Sequence, residues 1–197
     1  EGNPEHVGAL DNAVCDAANG NACQLNGAWG IAVRGDYAYV TSDIDDGVSI
    51  IDISDPTSPT HVGSITDDGT TKLNNALGIA VVGNYAYVTS FGDDAVQILD
   101  ISDPSAPTHV GSITDDGTTE LEGPITIEVV GSYAYIVGLV SDSLEIINIS
   151  DPTNPTHAGA ITDDGTTELD GAYDVEVVGD YAYVASNVDD GVSILDI

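Results

Sequence analysis

Apolar residues along this chain gather into short β-branched and aromatic runs, separated by Gly, Asp-Asp, Asp-Gly or Ser-Asp-Pro, and the same order of runs returns every 48 residues. In the second unit the pattern predicts strands over Leu77 to Val82, Tyr85 to Ser90, Val96 to Ile101 and His109 to Ile113. No segment sustains a helical period, so the expected class is all-β. In Val48 to Ile53 apolar side chains fall on both alternating faces, which predicts a sheet covered on both sides. The paired tyrosines Tyr37/Tyr39, Tyr85/Tyr87, Tyr133/Tyr135 and Tyr181/Tyr183 lie two apart. Each pair projects from one face of its strand, and packing on the next sheet is expected.

The motif P-T-H-[VA]-G-[SA]-I-T-D-D-G-T-T starts at Pro59, Pro107 and Pro155. Units at about 4–58, 59–106, 107–154 and 155–197 therefore form one domain, because each must bury its faces on the next. Four-stranded units repeated radially predict a four-bladed β-propeller. The run before each Tyr-Ala-Tyr is expected innermost, where Gly30, Ala32, Gly78 and Ala80 suit a tight axis, and the His-containing strand outermost. The last copy stops at Ile194-Leu195-Asp196-Ile197, and the piece it lacks stands at the other end as Pro4 to Leu10. His6, Val7, Gly8, Ala9 and Leu10 are therefore expected to pair beside Ile194, Leu195 and Ile197, in the same chain or in a neighbouring subunit.

The combination of Y-A-Y-V, V-x-I-[IL]-D-I-S-D-P and P-T-H-V-G-S-I resembles the LVIVD-repeat propellers over essentially the whole chain. The resemblance implies a β-propeller secreted or displayed on the surface of an archaeal or bacterial cell. It implies no common activity.

Charge narrows the partners. Thirty-four acidic residues face one Arg, Arg34, and one Lys, Lys72, for a formal net charge of -32. Such a surface repels nucleic acid and anionic lipid and attracts cations. No apolar run approaches the ~20 residues of a membrane span. The chain has no Met, which is read as a processed mature protein or a fragment. Cys15 and Cys23 lie in an insertion at about 13–23 and are expected to form a local disulfide, contributing about 2.5 kcal/mol by loop entropy and implying an oxidising, extracellular or cell-surface location. A zinc site there is the lesser reading, since C-x7-C is not a usual ligand spacing and no His is adjacent in sequence.

Histidines His6, His61, His109 and His157 occupy one equivalent position. On outer strands they would be spread around the rim, too far apart for the ~2 Å bonds of a shared zinc. Asp67, Asp68, Asp115, Asp116, Asp163 and Asp164, with Asp43, Asp45 and Asp46, stand in tight loops. Turn chemistry accounts for them, and Ca2+ coordination is the sharper alternative. Asp174, Glu128 and Glu176 fall on two inner strands as a candidate cation site in the channel, with Arg34 as counter-charge. Asn148 heads a sequon for N-glycosylation. Trp29, Phe91 and Tyr173 are the aromatic platforms available to a sugar outside the tyrosine pairs.

Every His is assigned to the rim and both Cys to a disulfide, so no nucleophile stands beside a base and no enzyme activity is expected. The reading is a non-enzymatic extracellular structural protein, an acidic building block that self-assembles into a filament or surface layer through its displaced strand. The alternative is a calcium-dependent surface binding module, a lectin-like adhesin that recognises glycans.

Overall fold

The computed structural model describes residues 4–13, 15 and 23–197. Blade 1 comprises β1 (Ala28–Arg34), β2 (Tyr37–Ser42), β3 (Gly47–Asp52) and β4 (Thr60–Thr66). Blade 2 comprises β5 (Ala76–Val82), β6 (Tyr85–Ser90), β7 (Ala95–Asp100) and β8 (Thr108–Thr114). Blade 3 holds β9 (Pro124–Val130), β10 (Tyr133–Gly138), β11 (Ser143–Asn148) and β12 (Thr156–Thr162). Blade 4 has three strands, β13 (Ala172–Val178), β14 (Tyr181–Ser186) and β15 (Gly191–Asp196). Every pairing is antiparallel between chain neighbours, so each blade is a meander. The four strands foreseen in the second unit fall within a residue or so of β5 to β8.

The order within blades is also the expected one, since β1, β5, β9 and β13 meet one another in succession at the centre. Blades join through one repeated contact. Tyr39, Val48 and Ile50 of blade 1 pack on Ala86, Val88, Leu99 and Ile101 of blade 2, together with Leu73 from the connection between them. Tyr87, Val96 and Ile98 repeat this against Ala134, Ile136, Ile147 and Ile149 of blade 3. Tyr135, Val137 and Leu144 repeat it against blade 4. The tyrosines thus fill the joints, and burial raises the phenol pKa of Tyr39, Tyr87 and Tyr135.

Polar ties reinforce each joint. Asp46, Asp94 and Asp142 all adopt the left-handed conformation that a short polar side chain tolerates. Their Oδ1 atoms accept the N–H of Asn75 at 2.7 Å, Gly123 at 2.9 Å and Gly171 at 2.9 Å, always one blade on. Nearer the axis, Thr41 donates its hydroxyl to the Leu77 carbonyl and Thr89 donates to Ile125 O at 3.1 Å. Gly30 and Gly78 permit this approach, because a methyl group built there would lie 2.4 Å and 2.6 Å from those same carbonyl oxygens. Blade 3 carries Thr126 and Val137 in the equivalent places, and its hydroxyl comes from Thr126, which donates to Tyr173 O at 3.3 Å.

The expected completion of the last blade does not occur within the chain. Residues 4–11 form no strand, and among the described residues β15 pairs only with β14. The heptad lies instead on blade 1: Leu10 packs with Leu25 on Ala38, Val40 and Ile51, the place Ile65 takes on blade 2. A methyl group at Gly8 would lie 2.2 Å from Pro56 O, just as Gly63 and Gly111 crowd Pro104 O and Pro152 O one blade further on. The heptad is therefore seated as the outer strand of a blade preceding blade 1. Blade 4 does not fill that position, because no contact comparable to those between successive inner strands joins β13 to β1.

Among the described residues two faces are open as a result, and here the expectation of sheets covered on both sides fails. Val48 and Ile50 are 1% and 0% exposed, whereas their counterparts Val192 and Ile194 are 62% and 64% exposed, with Tyr181, Tyr183 and Val178 beside them. On the opposite end Ile31 and Val33 of β1 are exposed.

Candidate functional site, an axial hollow lined by aromatic residues

The second residue of each inner strand is Trp29, Leu77, Ile125 or Tyr173, and the residue after each second strand includes Asp43, Phe91 and Leu139. Radial repetition brings these positions together at one end of the axis. They surround a hollow of about 280 Å3, with Asn75 completing the wall. Trp29 is 54% exposed and Tyr173 43% exposed, and Phe91 is half-buried. The three aromatic residues singled out in the sequence thus line one cavity, although 48 or more residues separate each from the next. Asp43 brings a carboxylate whose buried Oδ1 has no hydrogen-bond partner among the described residues. Neither cation of the chain lines the hollow.

The acidic loops are occupied with their own turns. Asp68 Oδ1 accepts the N–H groups of Thr70 and Thr71 at 3.0 Å and 2.7 Å, and Asp67 accepts Leu73 N–H at 3.2 Å. Asp116 and Asp164 accept from Thr118 and Thr166, Asp163 accepts Leu169 N–H, and Asp115 accepts the Thr119 hydroxyl. Asp45 holds Asn26 N–H at 2.9 Å. These bonds favour the ionised form and lower the pKa of Asp68, Asp116 and Asp164.

In the channel, Glu128 reaches across a joint to accept Val177 N–H from blade 4. Its carboxyl pKa is raised, first by burial and then by the charges of Glu176 and Asp174, so the three predicted acids are close enough to interact. Arg34 is not their counter-charge. It lies in a separate groove with Tyr37 and Tyr39, where its charge offsets part of the rise that burial imposes on the Tyr39 pKa.

The histidines do stand apart, on β4, β8 and β12, with His6 exposed in the heptad. His109 Nδ1 bonds the buried Gln97 side chain, and His157 Nδ1 lies 2.7 Å from Glu145 at the equivalent place. Blade 1 has the small Ser49 there, which accepts Gln24 N–H at 2.8 Å. The Cys15–Cys23 disulfide forms, with both residues buried and Cα atoms 5.9 Å apart. Sequence had placed no His beside it, yet the fold brings His61 within 4.8 Å of both sulfurs. Sulfurs joined to each other are not thiolates, so this trio is a packed disulfide and not a metal site. Most of the insertion carrying it lies outside the described residues. Asn148 acts as Asp52 and Asp100 do, accepting the N–H two residues on, here Ser150 at 2.9 Å.

A family model for the LVIVD repeat matches residues 27–67, 74–115, 125–163 and 171–197. The chain belongs to the LVIVD-repeat family. No curated protein matches this LVIVD-repeat chain. Among solved structures it is similar to a functionally unknown protein from Desulfotomaculum acetoxidans DSM 771, at 17% identity and a TM-score of 0.69, over 87% of this chain and 55% of that one. It is also similar to the periplasmic gluconolactonase PpgL of Pseudomonas aeruginosa, at 11% identity and a TM-score of 0.70, over 86% and 49%. The computationally designed Ika4 protein matches over 89% of this chain and 94% of its own, at 10% identity and a TM-score of 0.64. The LVIVD-repeat chain therefore spans about half the length of the first two and nearly all of the third. At these identities the likeness is one of fold. No helix among the described residues is long and apolar enough to cross a membrane.

Proposed function

We propose that the chain is a non-enzymatic extracellular structural module that assembles head to tail with further copies of itself. The observation that carries this reading is the mismatch between the two ends. Among the described residues blade 4 presents an uncovered joint face and an unpaired β15 edge, while the heptad of the same chain sits on blade 1 as the outer strand of a blade that these residues do not supply.

A neighbouring copy whose blade 4 approached blade 1 would gain β15 pairing with residues 6–10 and would cover Ile194 and Val192. Asp190 shares the left-handed conformation of Asp46, Asp94 and Asp142, and the Gly27 N–H one blade on in a neighbour is its equivalent partner; within the chain the two are not joined. Asp174 and Ala185 supply no hydroxyl at the place of Gly30 and Thr41, so this joint would rest on strand pairing, Asp190 and apolar cover. A contact between unlike faces propagates unless its rotation closes. The net charge of -32 opposes association, so it should strengthen with ionic strength.

The disulfide supports an extracellular role. Light scattering and negative-stain microscopy across protein and salt concentration test the reading. Head-to-tail oligomers are expected, reduced to monomers by deleting residues 4–10 or by Ile194→Asp. Uniform monomers under all conditions would remove it.

A further inference from the structure

We propose that the axial hollow is a binding subsite for one pyranose ring of a neutral or amino sugar. The proposal is independent of the assembly reading. The repeat itself is the control: at the second position of the inner strand two blades carry the aliphatic Leu77 and Ile125, while the other two carry Trp29 and Tyr173. Neither aromatic ring is needed to fill a core, since both remain about half exposed at the mouth of the cavity. Phe91 adds a third ring from the adjacent position, where blade 3 has Leu139 and blade 1 has Asp43.

A pyranose presents apolar C–H patches on its faces and hydroxyls around its edge. Aromatic faces carry negative charge density and attract the slightly positive C–H groups, and rigid rings lose little conformational entropy on binding. Edge hydroxyls need acceptors and donors, and the wall of the hollow includes the Asp43 carboxylate and the Asn75 amide. At about 280 Å3 the cavity sits at the small end of ligand sites, which run to roughly 300–1,000 Å3, and so suits one ring and not an extended chain.

Charge sets the class. The wall has a carboxylate and no cation, on a molecule of net charge -32, so phosphorylated and uronic sugars are repelled while a neutral or ammonium-bearing sugar is accepted. The site holds a ring by stacking and edge contacts, with no nucleophile or acid-base pair around it, and no bond is made or broken.

Trp29 is the only tryptophan, so emission excited selectively from tryptophan and not from the nine tyrosines reports on this hollow. The intact chain is titrated with methyl glucoside, methyl galactoside, methyl mannoside, N-acetylglucosamine, glucosamine and glucose 6-phosphate, with calorimetry alongside. A saturable shift in Trp29 emission is expected for at least one neutral or amino sugar, with Kd on the order of 1 mM for so small a ligand. Tyr173→Ile and Trp29→Leu restore the aliphatic residues of blades 2 and 3, so both variants should fold with unchanged melting temperature. Each should weaken binding at least tenfold by calorimetry, and Asp43→Asn should weaken it several-fold. Glucose 6-phosphate should bind worse than methyl glucoside. The proposal is overturned by an absence of saturable binding to every neutral and amino sugar, by binding that survives Trp29→Leu combined with Tyr173→Ile, or by preference for the phosphorylated sugar.

Discussion

Replacing Glu145 with Gln should stabilise the protein, and the gain should grow as pH rises. Glu145 is 0% exposed on β11, between the 2.7 Å contact to His157 and a 3.1 Å bond from Glu120 N–H. Burial pushes its pKa up, against the opposing pull of these two partners. A folded pKa above the unfolded one means that the folded state holds its proton longer. The contribution of Glu145 to stability is therefore highest in acid and falls as pH climbs through the range between the two values. Blade 2 shows what an amide does in the same place. Gln97 accepts Lys72 N–H at 2.8 Å and donates to Ile98 O at 2.7 Å and Gly111 O at 3.0 Å. Glu145→Gln would add the two corresponding donated bonds, at about 1 kcal/mol each net, and weaken a charge-assisted bond to His157 by about 1 kcal/mol. The balance is a gain of about 1 kcal/mol at pH 7, or roughly 2–4 °C in melting temperature for a chain of this size. Glu145→Ala should instead cost about 3 kcal/mol, because it orphans Glu120 N–H and leaves a cavity. Urea midpoints and melting curves of both variants and the parent, at pH 4, 5.5, 7 and 8, would measure this. A variant Glu145→Gln less stable than the parent at pH 7, or a difference that does not change with pH, would refute the reasoning.

Three further outcomes are expected. Thr89→Val should cost about 1–2 kcal/mol in urea unfolding, since it leaves Gly78 N–H and Ile125 O without the hydroxyl that joins them. Gly111→Ala should destabilise, because its new methyl would lie 2.5 Å from Pro152 O, whereas Gly159→Ala, with nothing within 4 Å, should leave the melting temperature of the monomer unchanged. Calcium chloride and sodium chloride of matched ionic strength should raise the melting temperature equally, since the loop carboxylates already accept backbone N–H groups; an increment specific to calcium would show a site.

The sequence pattern made the blades legible because each strand is short, β-branched and closed by a turn signal, and because repetition supplies the same evidence several times. Val48 to Ile53 announced cover on both faces, and the tyrosine pairs announced the joints. The fate of the heptad was not legible. Its motif matches an outer strand, but the motif records which neighbours a strand prefers and not which blade stands next to it. Exposure of Val192 and Ile194 was hidden for the same reason, as they are written like the buried Val48 and Ile50. Trp29, Phe91 and Tyr173 were visible as exceptions to the repeat, while their convergence depends on radial geometry. The approach of His61 to the disulfide, which lies far from it in sequence, had no signal in the chain.

The hydroxyl that reaches each following blade has two spellings. Blades 1 and 2 write it as Gly on the inner strand with Thr on the second, Gly30 with Thr41 and Gly78 with Thr89; blade 3 writes Thr126 with Val137. Either spelling places one oxygen opposite the same carbonyl, and a hybrid places two or none. Repeats of this kind are therefore interchangeable as whole words but not letter by letter. Gly78→Thr alone should be disruptive, because its Cβ would lie 2.6 Å from the Ile125 carbonyl oxygen, and Thr89→Val alone weakening; Thr89→Val relieves no part of that clash, so the pair on its own should not recover both losses, and an engineer averaging the repeats into a consensus would have to carry over the spacing of the inner strands with the pair.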